Sequence, residues 1–152
     1  PKKDYLIIDL LDSKGGSINE ALKFVETIKK SKVKKIIVLT DSTVSADEYI
    51  VHLLKDDKRV IYIGENTSGI FVGINVRLII NEKNKISLKL STKRSKYSPS
   101  EGIGFIPDIW ALNTLDIMKN LWRITEDYEL KIKFSPTQII DHDNYQKYKI
   151  FY

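Results

Sequence analysis

The sequence predicts an α/β protein built on a mostly parallel sheet, with crossover helices and an added β-hairpin. Between residues 5 and 64, apolar β-branched runs alternate with stretches of helical periodicity, in the order strand, helix, strand, helix, strand. Such connections are right-handed crossovers between parallel strands. Ligand sites in these sheets lie beyond the carboxyl ends of the strands. We therefore expect a site where the loops at 12–16, 41–45 and 64–70 emerge.

The first strand and helix are predicted from residues 5–35. Residues 5–10 (YLIIDL) are a continuous apolar run, which is typical of a strand buried on both faces. Ser17 and Glu20 then have the spacing of a capping box and begin a helix. Residues 29–35 end that helix with positive charge, as the helix dipole favours. The apolar positions of this helix repeat at helical spacing: Ile18, Ala21, Leu22, Val25 and Ile28.

Two more strands and a second helix follow. Residues 35–40 (KIIVLT) and 59–64 (RVIYIG) are strand candidates. The second helix begins near Ser45 and is expected to bury one face, made of Ala46, Tyr49, Ile50, Leu53 and Leu54.

Beyond residue 70 the pattern changes. Segments 72–81 and 86–92 predict a hairpin that lies on the sheet and turns at 82–84. Residues 97–107 predict a loop rich in Ser, Gly and Pro. A third helix is expected to carry one face made of Leu115, Met118, Trp122 and Thr125.

The chain divides into a core domain and a tail. We place the core domain at residues 1–134 and the tail at 135–152, which is polar and aromatic. Because the chain starts at Pro1, without Met, and just before a strand, we expect it to be a piece of a longer protein.

Composition narrows the function classes. The net charge is +5, but Lys and Asp/Glu are interspersed, which favours a solvated surface over a nucleic-acid site. The absence of cysteine excludes disulfides, thiolate metal sites and cysteine nucleophiles. No apolar run approaches the ~18 residues of a membrane span. Residues 64–70 are not a phosphate-binding loop because Ile70 occupies the lysine position. Residues 141–143 (DHD) could suggest a metal site, but three adjacent residues rarely bind one ion together. We therefore expect neither a metal nor a cofactor.

Ser45 has two interpretations that the residues alone leave open. Ser45-Ala46-Asp47-Glu48 fits the S-x-x-E capping box, and helix capping is the more common use of such a serine. A serine between a strand and a helix is also well placed for a nucleophile, since the helix N-terminus stabilises negative charge.

An oxyanion hole is also predicted near Ser45. The Ala46 amide would supply one donor, and a loop amide of Gly15 or Gly16 would supply the other. Those two glycines more often mark a tight turn. His52 lies two helical turns after Ser45, about 10 Å along the axis, and is too far away to take its proton.

Four segments, taken in order, resemble the C-terminal processing (tail-specific) serine peptidases and their tricorn-like relatives. Residues 9–16 (DLLDSKGG) are similar to the family's strand-end motif, which finishes in two glycines. Residues 43–48 (TVSADE) are similar to its nucleophile motif and put the attacking serine at Ser45. Residues 64–69 (GENTSG) and 101–108 (EGIGFIPD) complete the match.

The resemblance covers residues 4 to 112 and implies a crotonase/ClpP-like fold and a peptide substrate. The processing proteases use a lysine base where this chain has Ile70. The tricorn-like branch uses an upstream histidine and a downstream glutamate, and Glu101 fits that glutamate by position. The histidine would come from a segment before Pro1. Extracytoplasmic or cell-envelope localisation is implied, and a homo-oligomer is left open.

The resulting hypothesis is a serine peptidase core with Ser45 as nucleophile and Glu101 as support for a base outside this chain. The glycine motif lacks the usual Arg and Asn at residues 11–14, so an inactive peptide-binding module with the same fold is the first alternative. A crotonase-type acyl-CoA enzyme, which uses the same oxyanion architecture, is the second.

Overall fold

A computed structural model describes residues 4–71, 76–90 and 101–133 of the chain. Its strands are β1 (Tyr5–Asp9), β2 (Lys35–Thr40), β3 (Val60–Gly64), β4 (Val76–Asn81), β5 (Ile86–Leu90) and β6 (Ile109–Trp110). Its helices are α1 (Ile18–Lys30), α2 (Ala46–Leu54) and α3 (Thr114–Thr125). The predicted α/β class with a mostly parallel sheet is confirmed.

The main sheet has the strand order β1-β2-β3-β6, and every pairing in it is parallel. Ile37 of β2 lies opposite Ile7 of β1 and Ile61 of β3, so β2 lies between β1 and β3 and pairs with both. Because parallel strands end at the same edge, the segments that follow β1, β2 and β3 meet there, as predicted.

Helices cover the sheet on both sides, and β2 lies between them. Ile36 and Val38 pack toward α1 and α2, whereas Ile37 and Leu39 pack toward α3. These four side chains have no exposed surface. Burial on both faces explains why the sequence of β2 is an uninterrupted apolar run instead of an alternating one.

The structure corrects three details. The β4–β5 hairpin forms a separate antiparallel sheet and is not part of the main one. The two-residue strand β6 was missed because so short a segment carries no periodicity. The predicted face of α3 was correct only in part: Met118 packs toward the sheet, but Leu115 is exposed, while Ile117 and Leu121 are buried. These two residues and Ile124 pack in the cluster that also contains residues of β2 and β3.

Two other expectations concern the burial of β1 and the C-terminal tail. Strand β1 pairs with β2 alone among the described strands and is half-buried along most of its length, so it is less covered than predicted. The predicted tail at 135–152 lies outside the described residues, as do segments 72–75 and 91–100.

Gly64, at the carboxyl end of β3, generates a testable prediction. Its φ is +134°, and a Cβ there would lie 1.9 Å from the Thr40 carbonyl oxygen. Gly64→Ala should therefore lower the free energy of unfolding by about 2–5 kcal/mol, through backbone strain and steric overlap. Urea unfolding curves measure the loss.

Gly16→Ala is the matched control, since a Cβ at Gly16 meets nothing within 4 Å. That variant should stay within about 1 kcal/mol of the original chain. Equal losses at the two positions would contradict the close approach of β3 to β2 at Gly64.

Candidate active site

Ser45 and the glycine loop, which we define as residues 10–16, are neighbours at the carboxyl edge of the sheet. The loop follows β1, and Ser45 follows β2. A Cβ added to Gly15 would lie 2.6 Å from the Ser45 Cβ and 3.1 Å from the Ala46 nitrogen. Any other residue at position 15 would crowd Ser45 and cover the Ala46 amide. The glycine is therefore needed for the close approach of the two segments.

Ser45 has an unusual backbone conformation. Its φ is 59° and its ψ is −124°, a combination that non-glycine residues rarely adopt. A residue held in such a region typically stores about 1–3 kcal/mol of strain, and strained residues cluster at functional sites. The strain identifies Ser45 as a residue on which the surrounding structure imposes its conformation.

The Ser45 side chain is not an ordinary helix cap. Ser45 and Glu48 stand at the two positions of a capping box, as predicted. The Glu48 amide, however, donates to the Ser45 carbonyl at 3.0 Å. The Ser45 side chain stands toward the same amide in a capping-box arrangement, but it forms no cap hydrogen bond with it.

Glu48 is a buried carboxylate that joins two segments. Its side chain has no exposed surface. Oε1 accepts the Gly69 amide at 2.7 Å, while Oε2 accepts the Ile70 amide at 2.7 Å and the Ser45 amide at 3.2 Å. The Ser45 amide also donates to the Ile70 carbonyl at 2.8 Å. Glu48 thus ties the start of α2 to the segment after β3, a role that the capping pattern alone did not predict.

Two other carboxylates, those of Asp41 and Asp47, hold the glycine loop. The Asp47 carboxylate accepts hydrogen bonds from the Ser13 hydroxyl and, at 2.8 Å, from the Gly15 amide. Both oxygens of Asp41 lie 2.8 Å from the Asp12 amide that donates to them. Burial raises the pKa of the Asp41 carboxyl, against the opposing effect of that hydrogen bond. Sequence reasoning missed both, because their partners lie about 30 positions earlier in the chain.

The candidate oxyanion donors differ in availability. The Gly15 amide is bonded to Asp47. The amides of Gly16 and Ala46 have no hydrogen-bond acceptor among the described residues. Ala46 is the first residue of α2, where the helix dipole favours negative charge.

Glu101 is linked to Ser45 through a single peptide group. Its carboxylate accepts the Phe71 amide at 2.9 Å, and the carbonyl of that same peptide group, which belongs to Ile70, accepts the Ser45 amide at 2.8 Å. The Ile70 side chain is half-exposed and offers no base. Glu101 thus lies close to the site but is joined to it through the backbone.

The other predicted candidates contribute less. His52 lies on α2 with its ring against Phe71, at a centroid distance of 6.3 Å, and burial lowers its pKa. Residues 141–143 lie outside the described residues. Within 4–71, 76–90 and 101–133, no group of three or more His, Cys, Asp or Glu side chains could hold a metal ion. None of the helices in those ranges is long and apolar enough to cross a membrane.

Comparison with known proteins gives a likeness of fold. No protein-family model matches the sequence, and no curated protein matches it. Among solved structures, the chain is similar to a photosystem II D1 C-terminal processing protease, with a TM-score of 0.51 and 17% identity over 80% of this chain and 38% of the other. It is also similar to a protein from Bacteroides fragilis assigned as an S41 protease, with a TM-score of 0.52 and 16% identity over 93% and 44%.

The chain thus spans less than half the length of these two structures. Both are described as proteases. The resemblance to C-terminal processing peptidases is therefore confirmed as a likeness of fold.

The strain at Ser45 generates a prediction about stability. Ser45→Gly should raise the free energy of unfolding by about 1 kcal/mol or more over Ser45→Ala, because glycine adopts positive φ without strain. Ser45→Ala itself should cost little, since no cap hydrogen bond is lost. Urea midpoints of the three proteins provide the measurement. A Gly variant less stable than the Ala variant would show that Ser45 is an unstrained cap.

Glu48 generates a second prediction. Glu48→Gln should lower the free energy of unfolding by about 2–4 kcal/mol, because an amide NH₂ would face a buried N–H donor in place of an acceptor. Glu20→Gln is the matched control, since Glu20 occupies the same third position of α1 but is exposed. That control should change stability by less than about 0.5 kcal/mol. Similar losses for the two variants would contradict the buried role of Glu48.

Proposed function

We propose that this chain is the catalytic core of a serine peptidase in which Ser45 is the nucleophile. The observation that carries the proposal is the strained backbone of Ser45 at the N-terminus of α2, next to the glycine loop. The amides of Ala46 and Gly16 have no acceptor among the described residues. A serine used only as a cap has no need of this strain. The fold likeness to two proteases supports the same proposal. We keep the crotonase/ClpP-like assignment as part of it.

The proposed reaction is acyl transfer to Ser45. The hydroxyl oxygen attacks the carbonyl carbon of the scissile peptide bond, and its proton passes to a base. The carbonyl oxygen becomes an oxyanion that accepts hydrogen bonds from backbone amides. Collapse expels the amine, which takes a proton, and leaves an acyl-enzyme ester. Water then hydrolyses that ester through a second oxyanion and regenerates the Ser45 hydroxyl.

The oxyanion donors in this proposal are the amides of Ala46 and Gly16. Gly15 and Gly16 were equal candidates from the sequence. The bond from the Gly15 amide to Asp47 favours Gly16, whose amide has no acceptor among the described residues. Gly15 then serves by lacking a side chain, which keeps the Ala46 amide open.

The base in this proposal comes from outside the 152-residue chain. A serine hydroxyl is a weak nucleophile until a neighbouring group takes its proton. Ile70 cannot accept a proton, and His52 packs against Phe71 on a later turn of α2. Glu101 supports the base or holds the peptide group of Ile70 and Phe71 in place.

The substrate in this proposal is a peptide or protein. The exposed side chain of Ile70, whose carbonyl accepts the Ser45 amide, offers apolar contact to a substrate, and that of Ile103 is exposed next to Gly69. The substitution of isoleucine for the family lysine also favours a second candidate: an inactive module that binds peptides with the same fold. A crotonase-type acyl-CoA enzyme is the third candidate, but nothing in the geometry favours it over the other two.

Chemical rescue tests the proposal. If the chain lacks only its base, added imidazole should accelerate cleavage of a peptide p-nitroanilide at least about tenfold, because general-base catalysis typically contributes roughly 10²–10⁴-fold. Without imidazole the chain should cleave peptides at a negligible rate. A fluorophosphonate probe should label Ser45 in the presence of imidazole, as mapped by peptide mass spectrometry.

Two variants control this experiment. Ser45→Ala should abolish both the rescue and the labelling, whereas Ser42→Ala, which removes an exposed hydroxyl three positions earlier, should retain both. Peptide binding without rescue or labelling would support the inactive module instead. Rapid cleavage without imidazole that Ser45→Ala abolishes would place the base inside this chain.

A further inference from the structure

We propose that Asp47 is a positioning residue that fixes the glycine loop, so that the Gly16 amide and not the Gly15 amide faces the substrate. This inference rests on the proposed function and extends it to a residue whose role the motif of residues 43–48 does not assign. Asp47 is the second residue of α2, one position after the Ala46 amide donor. Its carboxylate therefore connects the element that carries one oxyanion donor to the loop that carries the other.

The contacts of Asp47 define this role. Its Oδ2 accepts one hydrogen bond from the Ser13 hydroxyl and a second, of 2.8 Å, from the Gly15 amide. Beside them, the Val44 amide donates to the Ser13 carbonyl at 3.1 Å. Two of these three bonds between the loop and residues 44–47 end on a single carboxylate oxygen. Hydrogen bonds to a carboxylate are shorter and stronger than those between neutral groups, so the two bonds to Asp47 are the stronger ones of these three. Asp41 holds the loop separately, at the Asp12 amide.

The two bonds determine which amide remains available. Gly15 has a φ of +79°, and its amide donates to Asp47. The next amide along the chain, that of Gly16, has no acceptor among the described residues. Without Asp47, the Gly15 amide would be released and the loop could turn about its two glycines. Displacement of a catalytic group by about 1 Å can cost roughly a hundredfold in rate.

Three variants of the 152-residue chain test the inference. Asp47→Ala removes both bonds. Asp47→Asn retains an acceptor oxygen for them while removing the charge. Asp116→Ala is the control, since Asp116 also lies in the first turn of a helix and accepts from an asparagine, but on α3 at the other face of the sheet.

Two measurements are made on each variant: hydrolysis of p-nitrophenyl acetate with imidazole present, and amide hydrogen exchange at Gly15. In Asp47→Ala, the Ser45-dependent kcat should fall about tenfold or more with KM changed less than about threefold, because an oxyanion donor acts in the transition state. Gly15 exchange should accelerate in the same variant. Asp47→Asn should keep the Ser45-dependent kcat and the Gly15 exchange rate close to those of the original chain. Asp116→Ala should change neither quantity.

The outcomes separate this inference from the proposed function. If hydrolysis by the original chain does not depend on Ser45, the proposed function fails, and Gly15 exchange alone decides whether Asp47 holds the loop. Equal Gly15 exchange in the original chain and Asp47→Ala overturns the inference at any level of activity. Faster exchange together with undiminished Ser45-dependent hydrolysis also overturns it, because the loop would then be held for no catalytic purpose.

Discussion

The rest of the site depends on the hydrogen bonds that the buried Glu48 carboxylate accepts. This carboxylate has no exposed surface and accepts three backbone amides, one from Ser45 and two from the segment after β3. A buried carboxylate left without donors is strongly destabilising, so the three amides must remain in place for the fold to persist. The same bonds fix the Ser45 backbone, and they hold Gly69 and Ile70 beside it. A residue that has the sequence signature of a cap thus acts as the junction of two loops.

The parallel sheet brings the remaining parts to that junction. Because β1, β2 and β3 pair directly and end at one edge, the glycine loop, Ser45 and the Ile70 segment lie together. Carboxylates then hold each loop: Asp41 and Asp47 bind the glycine loop, while Glu101 binds the Phe71 amide. A strained serine survives only where its surroundings are this well determined. The stability that this strain costs is consistent with a functional site, where stability and activity often oppose each other.

Much of the fold could be predicted from local patterns. The apolar run of β2 and the capping boxes at Ser17 and Ser45 predicted the central strand and two helix starts, because strands and caps depend on nearby residues. The closeness of Gly15 and Ser45 was also predictable, since a parallel sheet aligns the ends of neighbouring strands.

Other features could not be predicted, because they depend on distant partners. Glu48 accepts hydrogen bonds from amides 21 and 22 positions later in the chain. Asp47 accepts hydrogen bonds from a loop about 30 positions earlier. The proposal of Gly16 over Gly15 as oxyanion donor rests on the contact between Asp47 and the Gly15 amide. A double-mutant cycle of Ser45→Gly and Glu48→Gln, measured by urea unfolding, tests most directly whether Glu48 imposes the strain on Ser45. The account predicts that Ser45→Gly stabilises the original chain by about 1 kcal/mol but the Glu48→Gln variant by much less, with a coupling of at least about 0.5 kcal/mol. An equal gain in both backgrounds would contradict it.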